Sequence, residues 1–272
     1  MKKVVKRIIR RKKVAKPIRS TKEQLNNALR TTRFFLRHAV DQDSRELMKK
    51  IVNRAKQGSD SKKLYSRNGR YTPSRAKIHN TIIRSILKQD TRTKSPDVYV
   101  LGGVAGSGKS SVLKKFIKEK ALTINNDDIK GKLAKYDPSP IKKYPLIHAS
   151  YLHEESSDIE KKVLARAIAS KKDIILDRTL ASYVKNRKLL ESMKKRGYRV
   201  TVLGTNLPPH IALIRATSRF VREGRYVPLG IVATKGNKTN SSVLKMAKQK
   251  FVTKARVYST KNKKPKLLYK KG

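Results

Sequence analysis

The stretch Gly103-Val104-Ala105-Gly106-Ser107-Gly108-Lys109-Ser110 fits the pattern G-x-x-x-x-G-K-[ST]. Its surroundings give the pattern its meaning. Asp97 to Leu101 is short and rich in β-formers, and Ser111 to Ile117 has helical spacing. Strand, glycine loop and helix in that order build a phosphate cradle. Glycines let backbone N–H groups turn inward around phosphate oxygens, and the helix N-terminus adds a partial positive charge. On this reading the nucleotide is held by Gly103, Val104, Ala105, Gly106, Ser107, Gly108, Lys109, Ser110 and Ser111. Lys109 reaches the β- and γ-phosphates and Ser110 holds Mg²⁺.

Strands and helices alternate downstream. The patterning predicts strands over 97–101, 121–125, 173–177 and 198–204, with a loop after the second. Helices are expected over 110–119, 154–170, 183–196 and 209–223. A helix over 239–251 and a hairpin from Ala255–Ser259 and Lys266–Tyr269 would close the chain. Ile174-Ile175-Leu176 is uniformly apolar, as a strand buried on both faces should be. The implied class is α/β: a P-loop NTPase-type parallel sheet flanked by helices, preceded by a helical, basic N-terminal extension. Thr72-Pro73 reads as an N-cap and first helical residue, opening a helix that carries Ile78, Ile82, Ile83 and Ile86 and ends near Lys88. Gly58–Tyr71 reads as a linker. The expected domains are therefore 1–70 as a basic, partly helical extension, 71–235 as the nucleotide domain, and 236–272 as a basic C-terminal segment.

Charge constrains partners. Lys and Arg number 69 against 19 Asp and Glu, a net charge of +50. Residues 1–96 hold 29 basic and 6 acidic side chains, and residues 236–272 hold 12 basic and none acidic. Such an excess repels itself unless polyanions or salt screen it, and it points to sequence-independent contact with DNA or RNA through the basic ends. A lysine-biased composition would leave the same trace without a partner. There is no cysteine, which excludes disulfides, thiolate zinc sites and thiol catalysis. No apolar run approaches the roughly 18 residues of a membrane span, and the basic start lacks the apolar core of a secretion signal. Residues 1–22 read as a basic arm, with an amphipathic surface helix as the alternative. The expected location is cytoplasmic, with virion or nucleoid association left open by the charge.

In an open parallel sheet the ligand sits beyond the carboxyl ends of the strands. Asn126, Asp127 and Asp128 follow the second strand there, and Asp177, Arg178 and Thr179 follow the third. Arg219, Arg222 and Arg225 follow the later helix. Transfer of a phosphoryl group needs a carboxylate at the acceptor hydroxyl, Mg²⁺ across the phosphates, and arginines to neutralise the moving charge. Asp127 or Asp128 is the candidate base. Asp177 could hold Mg²⁺ or bind substrate, and Arg219 with Arg225 form the candidate clamp. The stretch His148 to Glu155 could line a substrate pocket or simply start a helix.

Taken together these segments resemble the zeta-toxin family of P-loop kinases, from about Tyr71 to Pro228, with a weaker likeness to about Ser259. Ile124-Asn125-Asn126-Asp127-Asp128 is similar to the family segment whose catalytic aspartate falls on Asp127. Leu152-His153-Glu154-Glu155-Ser156-Ser157, Gly197-Tyr198-Arg199-Val200, and Arg219 with Gly224-Arg225-Tyr226-Val227-Pro228 match further motifs. The resemblance implies ATP and Mg²⁺ as cofactors and phosphorylation of a sugar hydroxyl in a nucleotide sugar such as UDP-N-acetylglucosamine. It also implies an antitoxin partner. Substrate contacts would fall on Asn126, Asp128, Glu155, Asp177 and Thr179. Two positions depart from the pattern: Asp177 replaces the usual Glu, and Ala181 stands where the family has an arginine. The expected function is transfer of the γ-phosphate of ATP to a nucleotide sugar or a nucleic-acid hydroxyl. The rival reading is a nucleic-acid-binding or packaging protein of a phage or mobile element that keeps the kinase fold in a secondary role.

Overall fold

The computed structural model describes residues 60–117, 120–138, 151–223 and 229–272. Residues 1–59, the segment 139–150 and Gly224–Pro228 lie outside the described residues, and with them the expectations placed on the basic arm, His148 and Arg225.

A six-stranded sheet has the order β4-β5-β3-β6-β7-β8. Its strands are β3 (Asp97–Gly102), β4 (Leu122–Asn125), β5 (Ile174–Asp177), β6 (Arg199–Asn206), β7 (Lys254–Ser259) and β8 (Lys266–Lys271). All neighbours run parallel except the antiparallel β7–β8 pair. The short pair β1 (Ser66–Arg67) and β2 (Arg70–Tyr71) forms a separate ribbon. The helices are α1 (Ser61–Tyr65), α2 (Pro73–Leu87), α3 (Lys109–Leu113), α4 (Asn126–Tyr136), α5 (His153–Ala169), α6 (Tyr183–Lys195), α7 (Pro209–Glu223) and α8 (Leu229–Ala247).

One sheet face carries Val98, Val100, Leu122, Ile124, Ile174, Leu176, Val200, Val202, Ala255 and Val257. These join apolar residues of α2, α4, α5, α6 and α8 in the main core. The other face has a smaller cluster around Tyr99, Leu101 and Leu203, roofed by Leu113 and Phe116 at the end of the glycine loop's helix. Ile175 points to this thinner side and stays half-buried. Its strand is therefore fully covered on one face only, not on both as its composition predicted.

Several boundaries differ from the sequence reading. The expected linker holds α1 and the β1–β2 ribbon. Asp60 caps α1 by accepting from the Lys63 N–H at 2.9 Å. Asn68 and Gly69 turn the ribbon with φ of 50° and 75°, the left-handed geometry that an Asn-Gly pair favours. The loop expected after the second strand begins with α4, which Asn125 caps and Ile129 and Leu133 anchor in the core. Helix α3 is short and gives way to a 3₁₀ turn over Lys114–Phe116. Helix α8 begins ten residues before the expected 239. Residues 236–272, read as a segment outside the nucleotide domain, supply the end of α8 and two strands of the same sheet. Thr72 does cap α2, accepting from the Arg75 N–H at 3.4 Å.

Candidate active site

The strand register sets the site. Leu101, Asp177 and Asn125 stand side by side across β3, β5 and β4, with Leu203 of β6 beside Leu101. The chain leaves the sheet from this line into the glycine loop, α4 and the Arg178–Ser182 segment. The glycine loop, Asp127 and Asp177 therefore emerge at one edge, as parallel topology requires.

The loop is braced from below. Gly103 has φ of 143°, and an added Cβ would run into the Thr205 hydroxyl and come within 2.8 Å of Ser107 Oγ. Those two hydroxyls share a buried hydrogen bond of 2.6 Å, which ties the loop to β6. Gly106, with φ of 79°, lies against the backbone of α7, where a Cβ would sit 3.0 Å from the Ala212 carbonyl. Val104 packs with Leu207, Ala212, Leu213, Ala216 and Val232 in a second apolar cluster. Helix α7 is thus clamped onto the loop, and Arg219 follows Ala216 by one turn. Asn240 of α8 fixes the start of this unit, accepting from the Leu207 N–H at 3.3 Å and donating to its carbonyl at 2.9 Å.

Lys109 donates to the Gly103 carbonyl at 3.0 Å and lies 4.0 Å from Asp177 Oδ1. Burial pushes its ammonium pKa down; Asp177 and Asp127 oppose that, and Arg219 adds to it. The lysine therefore shares one electrostatic field with both aspartates and the arginine. Asn125 joins the two acidic segments. Its Oδ1 accepts from the Asp127 N–H at 2.8 Å, and its Nδ2 donates to Asp177 Oδ2 at 3.2 Å. Asp127 is half exposed at the first turn of α4 and receives Lys130 Nζ at 3.2 Å. Asp128, Ser110, Ser111 and Thr179 are exposed at the same edge, and the Thr179 carbonyl accepts the Gly103 N–H at 3.3 Å.

Other residues serve as framework. Asn126 donates to Glu160 at 3.0 Å and accepts from Ser156 at 2.8 Å. Arg178 reaches the same Glu160 at 2.6 Å, so its guanidinium is turned toward α5. Glu155, expected to contact substrate, has no exposed surface. Arg75 holds its two oxygens at 2.6 and 2.9 Å, and His79 Nε2 donates to Oε1 at 2.6 Å. Burial alone would raise this carboxyl's pKa, but the bonds from His79 and Arg75 outweigh it and hold it at about 2. Arg75 also reaches Asp137 at 3.0 Å and lies over the Tyr65 ring. Glu155 therefore fastens α5 to α2; its place in a polar run at the start of a helix gave no sign of the arginine eighty residues upstream.

Three supporting residues escaped the sequence reading. Asn125 left a signal, since an Asn directly before a helical segment is a preferred cap. Thr205 left none, because its partner lies 98 residues away. Leu180 left none either: it is buried with φ of 59°, a costly conformation for a residue with a Cβ. Its side chain fills the space over Gly102.

The zeta toxin family model matches residues 81–271. The chain belongs to the zeta toxin family. No curated protein sequence matches it. Among solved structures, one from the PezAT chromosomal toxin–antitoxin system of Streptococcus pneumoniae superposes with a TM-score of 0.58 at 17% identity. It covers 74% of this chain and 83% of its own. An AvrRxo1-ORF1:-ORF2 structure with ATP gives 0.58 at 16% identity, covering 79% and 77%. The native complex gives 0.59 at 17%, with the same coverage. At these identities the likeness establishes the fold alone. Among the described residues, no helix of this family member is long and apolar enough to cross a membrane.

Proposed function

We propose that this zeta toxin family member is an ATP-dependent phosphotransferase that moves the γ-phosphoryl group to a hydroxyl. The observation that carries the reading is Lys109 at 4.0 Å from Asp177, with Asn125 bonded to both Asp177 and the Asp127 N–H, behind a glycine loop in which Gly103 has no room for a Cβ. Lys109 holds the β- and γ-phosphates. Asp127 orients the acceptor hydroxyl and accepts its proton as the oxygen bonds to the γ-phosphorus and ADP leaves. Arg219, with Arg225, stabilises charge on the transferring group. Asp128 and Thr179 border the acceptor side, and Asn126, bonded to Glu160 and Ser156, holds the start of α4 behind them.

The donor set suits Mg²⁺. Ser110 offers a hydroxyl and Asp177 a carboxylate, and the described residues contain no cluster of three metal-binding side chains. Mg²⁺ usually keeps several waters and binds through one or two carboxylates plus substrate phosphates. When bound, it would neutralise phosphate charge. One structural neighbour, the AvrRxo1-ORF1:-ORF2 complex, was solved with ATP, which supports the nucleotide assignment. A toxin–antitoxin system and a two-protein complex among the neighbours support a neutralising protein partner.

The test is transfer of labelled γ-phosphate to UDP-N-acetylglucosamine, other nucleotide sugars, and 5′-hydroxyl DNA and RNA. Label on one acceptor that disappears in Lys109→Ala names the substrate class. Asp127→Asn should lower the rate by roughly 10²–10⁴. Full activity in Asp127→Asn, or transfer that ignores Lys109, would remove the assignment.

A further inference from the structure

The opposite end of the sheet carries an arrangement that phosphotransfer does not use. Helix α6 ends just before β6, and α8 ends just before the turn into β7. A groove of about 720 Å³ opens between them. Arg187, Lys194 and Lys195 line it from α6, and Lys248, Lys250 and Phe251 from the turn after α8. Glu191 is the one acid in the lining, and it is held by Arg187 at 2.9 Å. Lys194, Lys195, Lys248 and Lys250 are exposed, and none forms an ion pair with a described carboxylate.

A helix C-terminus favours cations by roughly 0.3–1 kcal/mol each, which accounts for Lys194 and Lys195 in the last turn of α6. Lys248 follows α8 in the same way, but the two helix-end preferences do not account for both sets, with Lys250 beyond them, lining the same hollow. Like charges gathered in a concave surface repel, and they raise the local concentration of counter-ions. The lining has no cluster of carboxylates or imidazoles for a metal ion. Half-buried Phe251 adds an apolar wall against which a base could rest.

We propose that this groove binds the phosphate backbone of a nucleic acid, independently of the nucleotide site. The eight residues of β6 put about 25 Å between the two ends of the sheet. A strand seated here leaves the glycine loop open. The assignment does not depend on the phosphotransferase reading.

The experiment measures binding of a fluorescein-labelled 20-nucleotide oligo-dT to the full chain, from about 50 to 200 mM NaCl. Because a chain of +50 attracts any polyanion, two variants are compared. One is K194Q/K195Q/K248Q/K250Q. The other, K63Q/K77Q/K88Q/K135Q, removes the same charge from α1, α4 and the α2 region. With about 0.7 counter-ions released per phosphate contact on single strands, the groove variant should lose about 3 from the slope of log K against log salt. The remote variant should lose less than about 1. The matching lysine-to-arginine variant should keep the wild-type slope. Circular dichroism should show both glutamine variants folded, so that a lost slope is not lost structure. Equal losses in the two glutamine variants would overturn the proposal, as would absence of salt-sensitive binding in the wild type.

Discussion

Replacing Glu155 by Gln separates a framework role from a substrate contact. The side chain is fully buried, and Arg75 and His79 occupy its oxygens. Glutamine keeps the shape but leaves the Arg75 guanidinium buried with Asp137 as its remaining carboxylate. Breaking a buried pair from one side costs roughly 3–5 kcal/mol. The carboxyl's own titration gives a similar figure. Its pKa falls from the ordinary 4.5 to about 2, which corresponds to about 3 kcal/mol of stability at neutral pH. For an acid whose folded pKa is depressed, that stability is complete above pH 4.5 and is lost as pH falls toward 2. Urea unfolding should therefore place Glu155→Gln roughly 3–5 kcal/mol below wild type at pH 7. The gap should shrink between pH 4.5 and 2, with an unchanged dependence on denaturant. A variant as stable as wild type at pH 7, but with a raised KM for the acceptor, would refute this reasoning and return Glu155 to the substrate.

Gly106→Ala puts a Cβ at φ of 79° and 3.0 Å from the Ala212 carbonyl. Strain of about 1–2 kcal/mol and displacement of α7 should weaken ATP binding by about tenfold or more in calorimetry; affinity within twofold of wild type would argue against the cradle. Thr205→Val leaves Ser107 Oγ without its 2.6 Å partner and should cost about 1–3 kcal/mol in thermal unfolding. Adding Ser107→Ala should recover part of that loss, because the orphaned group is gone. Asn125→Ala removes the α4 cap, worth about 1 kcal/mol, and the bond to Asp177. In the transfer assay kcat should fall more than KM rises; a change confined to KM would mean that Asn125 does not position the acids.

How much was legible in the sequence differs from element to element. Loop, strand and helix around Gly103–Ser110 could be read directly, because a phosphate cradle needs glycines at fixed offsets from an apolar strand. The parallel sheet followed from alternating apolar runs, and its topology alone brought the segments of Asp127, Asp177 and Lys109 to one edge. Helix α4 was missed because two core residues, Ile129 and Leu133, give too weak a period. The final hairpin was legible as strands but was set outside the nucleotide domain, because its basic composition carries no record of the pairing of Lys254–Ser259 with β6. Local chemistry thus fixed the glycine loop, the fold class and the candidate acids. Tertiary packing alone decided that Glu155 anchors α5 to Arg75 and that Thr205 braces the loop across 98 residues. It also decided that lysines from two helix ends share one groove. Buried polar groups must find partners wherever the fold brings them, and sequence spacing carries no record of which distant residue will be there.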